Sequence, residues 1–440
     1  MSIASEISRI QGAKSDLKTS IEAKGVPVPD ATKIDGYAAL VDQISGGGST
    51  EVEENDVIFI DYDGTRVYSY SKSDFLALSA LPSNPSHTGL TAQGWNWTLA
   101  DAKDYVSRYG MLIIGQLYVT SDGKTRLYIK VEDEIKSRTI YWYQTAANGV
   151  TLDWGDGSAT ETAAGTGNKN ATHTYASAGD YVIKFYVSSG TLSLGNGSDN
   201  YAIFGSSTAR DTSYARQSLY KVEFGSGITS FATSTFKNCF QLAAISVPST
   251  MTSVNGLAGC SGLKGLVLNG TSLTSSSIRD CIGLRYYAVP KGMSFGQLSC
   301  YNNKAIQRIS IAGAITIGQS AFSDLVSMKH LIIGEGATTI GNTAIMNNES
   351  LETITIPSTV TSIGNSCFAN CVALRTIILK PTTPPTAGTT IFSGCDSSLK
   401  IWVPYSADHS VLTNYKGTSN WIDYASQIYE LDSNGNIPSA

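Results

Sequence analysis

Residues 351–371 read LETITIPSTVTSIGNSCFANC, and this stretch decides the fold. Leu351, Ile354 and Ile356 make Leu-x-x-Ile-x-Ile, a short strand whose alternate residues turn inward. Pro357 to Gly364 supplies the turn, and Phe368 plugs the interior. Comparable units open at Leu219, Leu242, Leu263, Leu284, Ile306, Met328, Leu351, Leu374 and Leu399, with steps of 23, 21, 21, 22, 22, 23, 23 and 25. A period near 22 predicts a solenoid, because one unit cannot bury its apolar face alone and stacking supplies the stability. Cys239, Cys260, Cys281 and Cys300 recur at 21, 21 and 19, with Cys371 later, which predicts one ladder of small buried residues. A metal site or disulfides is the rival reading of that spacing; no His accompanies the cysteines.

The repeat resembles the BspA-type leucine-rich repeat over residues 218–404, and the solenoid is expected to span 191–404. That resemblance implies a surface binder of other proteins, matrix or cells. Residues 405–440, with Trp421 and Tyr424, are expected to cap the last open repeat. The candidate contacts on the solenoid are Tyr286, Tyr287, Tyr301, Asn302 and Asn303, since aromatic faces and amides suit sugars and polar protein surfaces. The alternative for the tyrosines is that they cover the solenoid core. Trp95 and Trp97 carry the same two readings.

Upstream, Trp154-Gly155-Asp156-Gly157-Ser158 and His173-Thr174-Tyr175, followed by Gly179 and Tyr181, resemble a polycystic-kidney-disease (PKD) domain. This implies an immunoglobulin-type β-sandwich over 131–190 that serves as a spacer or contact module. Asp153 and Asp156 offer only two carboxylates to calcium, so turn capping is the favoured role for them. Residues 51–130 read as a small α+β module, with a hairpin at Asp63-Gly64 and a helix over Leu99–Tyr109. There, Val57 to Thr65 (VIFIDYDGT) is similar to the first motif of haloacid-dehalogenase-like phosphatases, in which Asp61 would be the nucleophile and Asp63 the general acid with Mg²⁺ between them. That chemistry needs a parallel α/β scaffold, and the module ends after one helix, so a plain hairpin turn is the expectation.

Residues 46–50 form a Gly-rich linker. Before it, residues 1–45 read as a helical stem with a seam at Ile3, Ile7, Ile10, Leu17 and Ile21, interrupted by Lys14. Two readings stand: an amphipathic helix packed on something else, or a stem for self-association or docking.

The chain has 440 residues, 15% charged, with a net charge of -5. Nucleic-acid binding is not expected, because phosphate neutralisation needs clustered Lys and Arg. No run of 18 apolar residues predicts a membrane span. The first residues carry no basic segment leading into an apolar one, and a protein made and folded in a cytoplasm is expected. Nineteen charged residues across 218–404 leave few candidates for a catalytic carboxylate pair. No cofactor, metal or enzymatic activity is expected. The chain as a whole is thus multidomain and mainly β: helical stem, α+β module, PKD-like β-sandwich, leucine-rich-repeat solenoid and cap. The assembly resembles structural proteins of tailed phages. This implies a virion protein assembled in the host cytoplasm: a tail-fibre or receptor-binding protein, with a head decoration or spacer as the alternative and a BspA-like surface adhesin as a further one. Its expected partners are other virion proteins through the stem, further copies of itself (a trimer by analogy) and a host-surface glycan or protein.

Overall fold

The computed structural model describes Lys18 and residues 57–438, apart from 146–148, 188, 196–202, 206–214, 252–253, 271 and 314–315. The stem seam at Ile3, Ile7, Ile10, Leu17 and Ile21, and the 46–50 linker, lie outside the described residues. Residues 56–440 cluster as one unit.

The N-terminal module is a four-stranded mixed sheet. Strands β1 (Val57–Ile60), β2 (Arg66–Tyr70), β3 (Leu90–Trp95) and β4 (Leu112–Thr120) lie in the order β2-β1-β4-β3. β1 and β4 are parallel, and the outer pairs are antiparallel. Two helices, α1 (Lys72–Ala77) and α2 (Leu99–Tyr109), belong to this module. Ser71 and Thr98 cap them by accepting hydrogen bonds from the backbone N–H groups of Asp74 and Asp101. Ala102, Tyr105 and Val106 form the buried face of α2 and pack on Val57, Phe59, Leu112 and Ile114.

Eight strands follow: β5 (Thr125–Val131), β6 (Ser137–Gln144), β7 (Val150–Asp153), β8 (Glu161–Ala163), β9 (Gly167–Thr174), β10 (Gly179–Val187), β11 (Leu192–Leu194) and β12 (Phe204–Gly205). They form two sheets that meet through apolar side chains such as Trp142 and Phe185, whose rings touch edge-on at 5.8 Å. Thr125–Val131, on the module side of the expected 130/131 boundary, pairs instead with β10 in this two-sheet unit. Its inward residues Leu127, Ile129 and Val131 alternate toward that core.

Both sheets run on into the solenoid. β5 pairs antiparallel with β13 (Leu219–Glu223), and β11 pairs parallel with β14 (Ile228–Phe231). The two-sheet unit therefore covers the open strand edges of the first coil, the role that terminal caps play in repeat proteins. Each later coil contributes one strand of three or four residues to a first sheet, for example Ala244–Ser246, Thr353–Ile356 and Thr376–Leu379. It adds a two-residue strand to a second, six-stranded parallel sheet running from Ser272–Leu273 to Thr386–Ala387.

At the far end, helix α3 (Ser410–Gly417), a 3₁₀ turn at Ile422–Gln427 and the strand Ile428–Glu430 close the last coil. Trp421 is fully buried and donates its Nε1–H to the carbonyl of Pro385, and the Tyr415 hydroxyl donates to that of Pro381.

Backbone geometry explains the coil-to-coil register. One left-handed position recurs in every coil, at Asn238, Gly259, Asp280, Asn302, Asp324, Asn347, Asn370 and Gly394, and six coils have a second one four residues earlier, at Ser276, Leu298, Ser320, Thr343, Ser366 and Thr390. The first position is held only by Asn, Asp and Gly, the residues that adopt this conformation at least cost. The side chains link along the stack, with Asn302 Nδ2 donating to Asp280 Oδ1 at 2.8 Å and Asn347 Nδ2 to Asp324 Oδ1 at 2.9 Å.

The next residue is the ladder position: Cys239, Cys260, Cys281, Asn303, Leu325, Asn348, Cys371 and Cys395. Here the thiols of Cys260, Cys281, Cys371 and Cys395 donate to carbonyls one coil back at 3.1–3.2 Å, and the Asn348 amide makes the same bond at 2.9 Å. This corrects the expected single column. Cys300 falls three residues earlier, where Phe322 and Phe368 plug other coils, and Asn303 holds the ladder position. All seven cysteines are free thiols.

Candidate binding surfaces

The first sheet presents a row of outward side chains, one per coil. Strand register pairs Glu223 with Ser246, Val267 with Ala288, Ser310 with Ile332, and Thr355 with Ile378, Trp402 and Tyr429 in turn, and the repeat spacing places the four groups in one row. From Glu223 through Ser310 the row is buried, and the cover is the N-terminal module. β4 runs over these strands with both of its own faces buried.

Polar bonds pin the contact. Asn96 Nδ2 donates to the carbonyls of Leu268 and Ala288, each at 3.1 Å, and Trp97 Nε1 donates to Val289 at 2.8 Å. The Tyr105 hydroxyl donates to Ile311, and the Ser310 hydroxyl donates to Met111. Gly115 makes the close approach possible, since a Cβ there would lie 2.5 Å from both Val267 methyls and 2.8 Å from Ala288 Cβ. Trp97 is thus a buried interface residue, and half-buried Trp95 packs against the module core.

Beyond Ile332 the row is no longer buried under the module. Thr355 and Ile378 are half-buried, and Tyr429 is 41% exposed. Trp402 lies beneath Tyr429, ring centroids 5.4 Å apart, and Lys400 Nζ sits 5.8 Å from the Tyr429 ring. Hydroxyls of Thr353 and Thr376 flank this patch in register. It joins aromatic and aliphatic surface to hydroxyls and one cation, a mixture that suits sugar rings or polar protein surface.

The second sheet carries a plainer stripe. Its outward residues are Ser272, Ser294, Thr316, Thr339, Ser362 and Thr386, a charge-free line of hydroxyls at the inter-strand spacing of about 4.8 Å.

The expected contacts Tyr286, Tyr287, Tyr301, Asn302 and Asn303 divide. Tyr287 is 1% exposed and occupies the inward alternate position of its strand, where Cys300 Sγ lies 3.7 Å from its hydroxyl. Asn303 is 0% exposed and accepts from Cys281 N at 2.8 Å. These two are corrected to structural residues, because a side chain inside the coil cannot meet a partner. Tyr286 stays half-buried on the strand side, whereas Tyr301 and Asn302 lie half-buried at the turn after the second-sheet strand. Sequence reading missed Thr355, Ile378, Trp402 and Tyr429. Reading down one column of the aligned repeats, rather than along the chain, would have shown them.

The other motifs resolve locally. Asp61 accepts from Tyr62 N and lies 2.7 Å from His87 Nε2, while Asp63 accepts from Thr65 N at the hairpin turn. Asp153 and Asp156 cap their turns through Gly155 N and Ser158 N. Asp156 also pairs with His173 at 2.6 Å, and the His173 ring stacks on Trp154. The Tyr175 hydroxyl donates to the Trp154 carbonyl. Hydrogen bonding from Ser158, with help from His173, pulls the Asp156 carboxyl down to about 2. Among the described residues no three His, Cys, Asp or Glu side chains come together as a metal site, and no helix is long and apolar enough to cross a membrane.

A family model for the BspA type leucine-rich repeat region matches residues 207–307 and 294–410, in six copies. The solenoid is built of BspA-type leucine-rich repeats. Among curated proteins none matches the chain.

Solved structures similar to it include a leucine-rich repeat protein from Bacteroides ovatus, with 19% identity and a TM-score of 0.31, covering 48% of this chain and 66% of that one. The pneumococcal vaccine antigen PcpA shows 16% identity and a TM-score of 0.29, covering 48% and 65%. A leucine-rich cell surface protein from Faecalibacterium prausnitzii shows 16% identity and a TM-score of 0.25, covering 49% and 81%. The chain thus spans slightly under two thirds of the length of the first two.

Proposed function

We propose that this chain is a non-catalytic binding protein that presents the uncovered end of its repeat solenoid to a cell-surface glycan or protein. The observation that carries this reading is the outward row of the first sheet. The module occupies it up to Ile332, while Thr355, Ile378 and Tyr429 are left for a partner.

In the finer form of the proposal the chain is a phage virion protein of the tail-fibre kind, with a PKD-like spacer ahead of the repeats. A stem over 1–45 docks it on the particle and trimerises it. The resemblance of the assembled modules to tailed-phage proteins supports this form. A BspA-like bacterial adhesin is the second reading, favoured by the repeat type itself.

Labelled full-length protein incubated with mixed gut bacteria and sorted by flow cytometry tests the binding role. Saturable labelling of one lineage, competed by unlabelled protein and lost in Tyr429→Ala, is the expected result. Folded protein that labels no lineage would refute it. Peptides of this chain in purified phage particles, rather than in bacterial surface fractions, separate the virion reading from the adhesin.

A further inference from the structure

The two-sheet unit and the first coil flank an open cavity of about 390 Å³, lined among others by Lys130, Glu132, Arg138, Ser218, Tyr220 and Gln241. Arg138 is 2% exposed. One terminal nitrogen donates to the carbonyls of Ile135 and Ser137 at 2.7 and 2.9 Å, and the other reaches the Lys130 carbonyl at 3.5 Å. Its Nε has no partner among the described residues.

A guanidinium remains charged in any protein, and a buried charge is normally balanced by an opposite one. Arg126 shows the normal case, with Glu223 at 3.2 Å and Asp122 at 2.9 Å. Arg138 has no such carboxylate among the described residues. Glu132 at the rim is held by Lys130 at 3.3 Å. Among the described residues that line the cavity, Lys130 and Arg138 face the one carboxylate of Glu132, so this lining carries +1; Asp180, opposite Lys130 on the neighbouring strand, acts on Tyr220 from outside it.

We propose that this cavity is a binding site for the carboxylate of an acidic sugar. The planar carboxylate matches the edge formed by Nε and the terminal nitrogen that makes only the 3.5 Å contact, and supplies a negative charge to the lining. Phosphate, near two charges at neutral pH, exceeds the lining's charge. The cavity volume admits a sugar ring, and Ser218, Gln241 and the Tyr220 ring offer hydroxyl partners and a stacking face. This inference rests on the reading of the chain as a glycan-binding protein.

The test titrates full-length protein with glucuronate, glucose and inorganic phosphate, by calorimetry and thermal shift. Saturable binding of glucuronate is expected, at least tenfold tighter than glucose or phosphate. Arg138→Met and the cavity-filling Gln241→Trp should each weaken it tenfold or more. If Arg138→Met does not fold, Gln241→Trp decides alone. No saturable glucuronate binding by folded wild-type protein, equal binding of glucose or phosphate, or wild-type affinity in a folded variant would each overturn the site. Cell labelling is read in parallel. Labelling without glucuronate binding sinks this site and leaves the binding-protein reading standing; glucuronate binding without labelling does the reverse.

Discussion

Replacing Gly115 by alanine tests the central architectural finding, that the N-terminal module lies directly on the solenoid strands. The new Cβ would sit 2.5 Å from two Val267 methyls and 2.8 Å from Ala288 Cβ. Carbon atoms rest at about 3.5–4.0 Å, so each contact falls short by roughly 1 Å. Strand β4 is buried on both faces and has little room to retreat. Overpacking of this kind costs about 1–3 kcal/mol, and three simultaneous clashes place Gly115→Ala at the upper end, about 3 kcal/mol. For a unit of this size, with unfolding entropy near 2.1 cal/mol/K per residue, that corresponds to a fall in melting temperature of roughly 4 °C.

Scanning calorimetry reads the shift, and tryptophan fluorescence reports whether Trp97 stays at the contact. Gly417→Ala is the control, since nothing lies within 4 Å of the added methyl. It should leave the midpoint unchanged or raise it slightly. Val267→Ala removes two of the clashing methyls, so the double variant should be more stable than the sum of the single effects by about 1 kcal/mol. A Gly115→Ala protein that melts with wild-type midpoint and fluorescence would refute the docking.

Other perturbations probe the coil itself. Asn347→Ala puts an alanine in left-handed backbone and should cost about 1–2 kcal/mol by urea denaturation, while Asn347→Gly, which keeps the backbone but loses the side-chain ladder, should cost less. Burial pushes the thiols of Cys239, Cys281, Cys300 and Cys371 up to about 12, and that of Cys395 up to about 11. A disulfide-exchange reagent at pH 8 should therefore leave the native thiols almost unmodified, with Cys395 reacting first, and should count seven in denaturant. Rapid reaction of several thiols in folded protein would contradict the ladder. Asp156, held at about 2, contributes stability that is fully present above the ordinary carboxylate range and is lost as pH falls from about 4 toward 2. Asp156→Asn should flatten the acid limb of the stability curve in that window, read by circular dichroism, and an unchanged limb would remove the assigned role.

Much of the molecule was legible in the chain because its signals are local or periodic. The Leu-x-x-Ile-x-Ile repeat sets which residues turn inward, and any sequence with that period must stack to bury them. Trp154, Asp156, His173, Tyr175 and Tyr181 lie within one short stretch of sequence and meet, since a hairpin-rich segment brings near neighbours together. The cysteine ladder was legible except at one coil, where a three-residue offset put Cys300 at the plug and Asn303 in the ladder. Spacing alone cannot separate two inward positions three residues apart.

Tertiary structure alone decided which solenoid surface is free. The contact of Gly115 with Val267 and Ala288 joins residues more than 150 positions apart and has no periodic signature. Burial of Tyr287 follows from strand alternation, but that of Ala288 and Ser310 follows only from the docked module. Arg138 likewise sits on an ordinary alternating strand, and nothing in that pattern tells that, among the described residues, no carboxylate accompanies it into the core. Periodicity encodes how a coil folds on itself; which faces are then covered, and which charges are left without a partner, depends on long-range packing that one chain of letters does not order.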